Sequence, residues 1–278
     1  MKVLSSINSF REARRKTGDT VGLVPTMGYL HEGHLMLVRR AKAENETAVV
    51  SIFVNPTQFG PKEDFARYPR DPERDLTLLD KEGTDLVFMP DAEEMYRQGF
   101  ATWVDVEKVT ERLEGSTRPG HFRGVATVVA KLFNIVEPTA AYFGEKDAQQ
   151  VVVIKRMVAD LNMNLNVVAV PTHREPDGLA MSSRNVYLNT EERQAALILW
   201  KSLSFARQLW SEQELRSERV KQQMAVLIQK EPLARIDYIS IADPETLEEL
   251  AEIRHAALVS LAVYIGKTRL IDNITLSS

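Results

Sequence analysis

The sequence predicts an α/β protein: a parallel sheet covered on both faces by helices, followed by a smaller α+β module. Three observations predict it. Up to about residue 170, short runs that are apolar throughout alternate with amphipathic stretches, the pattern of strands buried on both faces by the helices between them. After Asn189 this alternation gives way to two long helical patterns and then to extended runs joined by a tight turn signal. At a prior of about 150 residues per domain, a chain of 278 residues suggests two domains, with one large domain as the alternative.

Each element has its own signal. Thr20–Pro25 (TVGLVP) reads as a buried strand, followed by a helix beginning near His34 (HLMLVRRAKAENE). Ala48–Val54 (AVVSIFV) is a second apolar run, ended by Asn55-Pro56. Asp71–Glu82 reads as helical, with Pro72 suited to a first turn. Asp85–Met89 is a third strand stopped by Pro90, Phe122–Val136 carries apolar residues at helical spacing, and Ala140–Phe143 is a short strand. A helix over Ala148–Asn162 and a strand over Asn166–Val170 complete a Rossmann-like domain, expected over residues 1–173. Beyond it, Thr190–Trp210 is a long helix capped by Asn189 or Thr190, and a second helix runs near Ser211–Lys230. Arg235–Ile241, a helical turn at Pro244–Ala251, Ala257–Ile265 and Arg269–Ile274 complete the α+β domain, expected over 174–278, with Gly266-Lys267 as a hairpin turn. Pro171, Pro176 and Gly178 mark the loop 172–188 as the seam.

Composition excludes several classes. Hydrophobic residues at 44% and charged residues at 27% suit a well-cored protein rather than a disordered or fibrous one. Lys+Arg 35 against Asp+Glu 39 gives a net charge of −4, which argues against a nucleic-acid partner because phosphate-backbone affinity needs a cationic surface. Cysteine is absent, so disulfides, thiolate zinc sites and cysteine nucleophiles are excluded. The longest apolar runs fall far short of the about 18–20 residues that span a bilayer. Met1–Lys16 has no long apolar stretch before its basic residues. A cytoplasmic protein with no membrane partner is therefore expected.

Two familiar nucleotide devices are missing. No two of the 13 glycines are two residues apart, so a G-x-G-x-x-G fingerprint cannot occur. Gly28 and Gly33 have P-loop spacing, but His34-Leu35 follows where Lys-Ser/Thr is needed. Four other segments could serve an anion. Met27-Gly28-Tyr29-Leu30-His31-Glu32-Gly33-His34 follows the first strand, where ligands of open α/β sheets bind. Its glycines allow close backbone approach, the following helix aims free N–H groups at an anion, and two of the five histidines sit here. Imidazoles can donate to phosphoryl oxygens; the plainer reading is a turn whose histidines cap a helix. Phe143-Gly144-Glu145-Lys146-Asp147 could meet a ribose and a phosphate, or be a solvated loop. Gly178–Asn185, with Met181, Ser182, Ser183 and Arg184, suits phosphate binding on a mobile segment, or is a polar linker. Gln58 and Gln150 follow two different strands and could orient a polar substrate group. The basic loop from Arg118 to Gly124, with Arg123, could lie over an anion or simply shape a turn.

Six segments together closely resemble the pantothenate synthetase (pantoate–β-alanine ligase) family. They are VPTMGYLHEGH at 24–34, SIFVNPTQF at 51–59, LEGSTRPGHFRGV at 113–125, FGEKDAQQ at 143–150, REPDGLAMSSRN at 174–185 and RLIDN at 269–273, in the family's order. His31–His34 and Met181–Arg184 also resemble two signatures of the wider nucleotidyltransferase and class I tRNA-synthetase superfamily. The resemblance implies condensation of (R)-pantoate with β-alanine, giving pantothenate, AMP and pyrophosphate through a pantoyl adenylate. ATP is the co-substrate, with Mg²⁺ held mainly by its phosphates and not by a protein metal site. By the same resemblance, Met27–His34 would bind ATP, with His34 catalytic and His31 its phosphate-binding partner. Gln58 and Gln150 would hold pantoate, and Gln58 also β-alanine. Gly144, Glu145, Lys146 and Asp147 would bind ATP, with Gly144 and Asp147 on the ribose and Lys146 on phosphate. Met181, Ser182, Ser183 and Arg184 would close over the leaving pyrophosphate. His173 would lie near the adenine, a position where the family often has a small or aliphatic residue. A homodimer formed through the N-terminal domain is also implied. Two other functions stay open on the residues alone: nucleotidyl transfer to a phosphate ester, and ATP binding without turnover.

Overall fold

A computed structural model of the chain describes residues 1–61 and 63–277. They fall into two compact units, one of Met1–Glu145 with Val153–Pro171 and the other of Lys146–Val152 with Thr172–Ser278.

The first unit holds six strands: β1 (Lys2–Leu4), β2 (Val21–Thr26), β3 (Thr47–Ile52), β4 (Leu86–Phe88), β5 (Ala140–Gly144) and β6 (Asn166–Val170). They form one sheet in the order β1-β4-β3-β2-β5-β6, and every neighbouring pair is parallel. The helices are α1 (Ile7–Arg14), α2 (Glu32–Glu44), α3 (Pro72–Lys81), the short α4 (Ala92–Met95) and α5 (Glu114–Thr117), and α6 (His121–Val136). Helix α7 (Ala148–Asp160) starts in the segment grouped with the second unit. The central expected strands formed on largely apolar runs: Val21, Leu23, Val24, Val49, Val50 and Val87 are 0% exposed. β1 was not expected, because it is a three-residue edge strand in which only Leu4 is buried. Helix α2 starts at Glu32 rather than near His34, so His31 is its N-cap and His34 lies in its first turn.

Strand order decides where a ligand can sit. From β2 the chain passes to β3 and β4 on one side and later to β5 and β6 on the other, so the winding direction reverses between the neighbouring strands β2 and β5. The crevice beyond their carboxyl ends is the usual ligand position of such sheets. Thr26 ends β2 and Gly144 ends β5, so both loops that the sequence marks leave the sheet here.

The second unit carries β7 (Ala234–Ala242), β8 (Ala256–Ile265) and β9 (Thr268–Ser277) as an antiparallel sheet in that order. Gly266-Lys267 makes the expected hairpin, Ile265 pairing with Thr268. Helices α8 (Thr190–Ala195), α9 (Leu197–Ser211) and α10 (Ser217–Ile228) accompany it. Asn189 and Glu192 form a reciprocal capping box at the start of α8. The single helix expected over 190–210 is broken at Ala196. The helical turn expected at Pro244–Ala251 is absent. Instead, the Asp243 carboxylate accepts from the N–H groups of Glu245 at 2.9 Å and Thr246 at 2.8 Å, a local turn that competes with helix formation.

Among the described residues no helix is long and apolar enough to cross a membrane, and no group of three or more His, Cys, Asp or Glu could hold a metal ion.

Candidate active site

In the first unit the site is built on the turn after β2. Thr26 Oγ1 donates to the Ser51 carbonyl at 2.8 Å and accepts from Gly28 N at 3.2 Å. Gly28 (φ 80°) and Tyr29 (φ 51°) then take left-handed backbone, which is unfavourable for a tyrosine without outside support. The support comes from α3: Asp75 Oδ2 accepts from Tyr29 N and Oδ1 from Leu30 N, each at 2.7 Å. A Cβ at Gly28 would lie 3.0 Å from both Asp75 Oδ2 and Ile52 Cγ2, so the close approach also demands glycine. Beyond its place in a helical pattern Asp75 carries no local sequence signal, because its partners are 46 and 45 residues away.

The turn delivers two imidazoles. His31 caps α2 with extended backbone, and His34 N donates to the His31 carbonyl at 2.8 Å. His31 N donates to His34 Nδ1 at 3.3 Å, at the long end of hydrogen-bond range. That makes Nδ1 an acceptor and leaves the proton of a neutral His34 on Nε2, as a donor. The rings stand 4.0 Å apart between centroids. The Glu32 side chain turns to an ion pair with Arg39, which also binds Glu82.

Gln58 meets this turn directly: its Nε2 donates to Met27 Sδ at 3.1 Å. It ends a 3₁₀ turn over Pro56–Gln58, and its Oε1 accepts from Asn55 Nδ2 at 3.1 Å. Behind it lies the Arg118 loop, whose role the sequence left open. His121 Nδ1 is 2.8 Å from the Gln58 carbonyl, and Arg118 Nη1 is 3.1 Å from His121 Nε2. A guanidinium can only donate, so Nε2 accepts, and Nδ1 carries the proton given to Gln58. Arg118 is fixed in turn by Glu63 through bonds of 2.7 and 2.8 Å. Burial would push the Glu63 carboxyl up, but the Arg118 hydrogen bonds hold it below its ordinary value. Arg123 is not part of this chain; it faces Asp105 at 3.3 Å and lies over the Trp103 ring.

Burial, with Arg118 beside it, pushes the His121 imidazole down to about 4. Between about 4 and 6.5 the unfolded imidazole holds a proton that the folded one lacks. The contribution is therefore complete above about 6.5 and lost as pH falls to about 4, roughly 3 kcal/mol in all. Urea unfolding from pH 4 to 7 should show this slope, and His121→Gln should flatten it. An unchanged slope in the variant would contradict the neutral imidazole of the half-buried His121.

At the end of β5, a Cβ on Gly144 would meet no atom within 4 Å among the described residues beyond its chain neighbours, so packing against them does not demand glycine there. Glu145 is exposed. In the second unit, the Lys146 carbonyl accepts from Asn273 Nδ2 at 2.8 Å, and Lys146 Nζ lies 3.9 Å from the exposed Asp147. Gln150 is half-buried in the first turn of α7. The 173–184 loop folds back on itself: Met181 N donates to the His173 carbonyl at 3.0 Å, and Arg174 bridges Ala180. Ser182 Oγ accepts from Arg184 N at 3.2 Å and starts a 3₁₀ turn over Ser183–Tyr187, with Ser183 buried and Arg184 half-buried.

Arg174 holds this loop to β9. It clasps Asp272 with bonds of 2.7 and 2.9 Å, and donates to the carbonyls of Asn273 and Gly178 at 3.2 and 3.1 Å. Its guanidinium sits 4.0 Å from the centre of the Trp200 ring. Gly178 (φ 96°) is equally constrained, since a Cβ there would fall 1.9 Å from Trp200 Cδ1. Asp272 and Asn273 thus anchor both the Arg174 loop and the Lys146 backbone. The sequence marked the RLIDN segment but gave these residues no task. The first unit seats Gln58 on Met27 and sets His31 against His34 along one turn; the second ties Lys146 and the 173–184 loop to one strand.

Comparison with known proteins gives concordant findings. The family model described as pantoate-beta-alanine ligase matches residues 2–275. Pantothenate synthetase of Herpetosiphon aurantiacus is 58% identical over 277 residues, 99% of this chain and 100% of that protein. That of Pelotomaculum thermopropionicum is 59% identical over 271 residues, 97% of this chain and 96% of that one. The crystal structure of pantothenate synthetase from Thermus thermophilus superposes with a TM-score of 0.95 at 50% identity, covering 99% of each chain. Pantoate-beta-alanine ligase from Francisella tularensis, complexed with beta-gamma ATP and β-alanine, gives 0.82 at 35% identity, covering 99% of this chain and 97% of that one.

Proposed function

The chain belongs to the pantoate–β-alanine ligase family, and on that premise we propose how its residues carry the ATP-dependent condensation of (R)-pantoate with β-alanine. A pantoate carboxylate oxygen attacks the α-phosphorus of ATP, and the bond to pyrophosphate breaks, giving pantoyl adenylate. The amine of β-alanine then attacks the acyl carbon, the bond to AMP oxygen breaks, and the amine gives up a proton as the amide forms. The Francisella neighbour, bound to a nucleotide and β-alanine, supports this substrate pair.

The charge problem assigns the roles. Carboxylate attack on a polyanionic nucleotide is opposed by repulsion, so cations and donors must face the phosphates. His34 Nε2–H and His31 donate to phosphoryl oxygens as charge develops, and the Met27–Gly33 backbone with the start of α2 adds N–H groups. Lys146 and Arg184 neutralise the triphosphate, and Ser182 and Ser183 add hydroxyl donors. Gly144 leaves room for the ribose and Asp147 accepts from its hydroxyls, with Glu145 in the same loop and His173 toward the adenine. Gln58 and Gln150 hold pantoate, and Gln58 also orients β-alanine.

The observation that carries the reading is the Gln58 amide seated on Met27, in the turn that leads into His31 and His34. An acid-binding amide beside a phosphate-binding turn is what acyl adenylation requires. Mg²⁺ belongs to the reading as the nucleotide's counter-ion on phosphate oxygens, where it would supply further charge neutralisation. A cytoplasmic homodimer is part of the same reading and rests on family resemblance. The test is a two-step assay. Pyrophosphate release should require pantoate, and AMP release should additionally require β-alanine; pyrophosphate release indifferent to pantoate would refute it.

A further inference from the structure

We infer that Asp75 is the positioning residue of the adenylating histidines, an inference that rests on the roles proposed above for His31 and His34. Its side chain is 1% exposed, and each carboxylate oxygen takes one of two consecutive backbone N–H groups, Tyr29 and Leu30, at 2.7 Å. A carboxylate is an acceptor only, and its two oxygens match two neighbouring donors as no other side chain of that size does. Arg74 Nη1 lies 3.7 Å from Oδ1, beyond hydrogen-bond range, and its guanidinium rests over the Tyr29 ring instead.

What the carboxylate holds is an unfavourable backbone. Tyr29 sits at φ 51° after Gly28 at φ 80°, and Leu30 leads straight into the N-cap His31. Without two acceptors behind it, Tyr29 can relax toward ordinary backbone and carry the histidine turn with it. Burial pushes the Asp75 carboxyl up despite both backbone donors, so the ionised group is disfavoured in the fold it serves. A buried charge that works against stability, and spends both oxygens on one turn of the site, is best explained by what that turn presents. Asp75 lies behind the turn and acts through the loop, on the rate, by aiming two imidazoles.

The test measures pantoate-dependent pyrophosphate release and thermal unfolding for Asp75→Asn and Asp75→Ser. Asparagine keeps the size but turns an N–H donor toward one of the two amides; serine leaves one small acceptor. Misplacing a reacting group by about 1 Å costs about 100-fold in rate. Asp75→Asn should therefore lose about 100-fold in kcat, with KM for ATP and pantoate within about threefold and Tm within about 4 °C of the parent. A kcat within threefold of the parent would overturn the inference. So would failure of both variants to fold, since the carboxylate would then hold the fold rather than the loop. A parent protein without pantoate-dependent release would instead refute the functional reading itself.

Discussion

His34→Ala should lower pantoate-dependent pyrophosphate release by about 1,000-fold, the cost of removing one well-aimed donor from a site where charge develops. The imidazole is held for this purpose: Nδ1 accepts from His31 N at 3.3 Å, so the donor proton is directed from Nε2. Because the bond to phosphate strengthens as the α-phosphorus accepts the carboxylate, the loss should fall mainly on kcat, with KM for ATP changed by less than about tenfold. His34→Gln restores a donor without restoring its reach, and should recover about tenfold of the lost rate. The fold should survive, since His34 is half-buried at a helix start and contributes little to the core. Pyrophosphate release near the parental rate in His34→Ala would remove the histidine from the adenylating step.

Lys146→Ala should have the larger effect, about 10,000-fold on the same reaction, in the range seen when a cation facing a transferring phosphoryl group is lost. The backbone carbonyl of Lys146 is tied to Asn273 at 2.8 Å, so alanine should leave the loop in place and remove only the charge. Lys146→Arg keeps the charge with different geometry and should fall between the two. Melting temperatures should agree within a few degrees, because the Lys146 ammonium is only loosely paired, with the exposed Asp147 at 3.9 Å. A Lys146→Ala enzyme that forms adenylate at a near-normal rate would place the phosphates elsewhere.

Legibility in the sequence followed the range of the interactions. The parallel sheet was readable because its central strands are largely apolar runs, and the motif loops because they follow strand ends, where open α/β sheets bind ligands. What escaped depends on partners far along the chain. Asp75 reaches back 45 and 46 residues to the histidine turn, His121 reaches 63 to Gln58, and Asn273 reaches 127 to Lys146. No local pattern marks such residues: Asp75 looked like one more polar position on an amphipathic helix. Errors in the elements had local causes of another kind. A helical turn was expected at 244–251 because the Asp243 side chain, which captures two backbone N–H groups, has no signature in hydrophobic spacing. The first strand was missed because one buried residue in three leaves no periodicity to read.

The two halves of the candidate machinery depend on different supports. The histidine turn hangs on Asp75, and Gln58 on the Arg118–His121 chain. In the second unit, Lys146 and the 173–184 loop both depend on Asp272 and Asn273 of one strand. Substitutions at these supports should therefore be felt in the rate although none of the side chains is assigned to a substrate.

Isotope transfer addresses the central claim, that pantoate is activated as its adenylate, most directly. Pantoate labelled with ¹⁸O in its carboxylate is turned over with ATP and β-alanine, and the AMP is examined by mass spectrometry. Attack of the carboxylate on the α-phosphorus, followed by cleavage of the acyl C–O bond, leaves one pantoate oxygen on phosphorus, so each AMP should carry one ¹⁸O. AMP formed without the label would contradict the account, because the carboxylate would then never have been joined to the nucleotide.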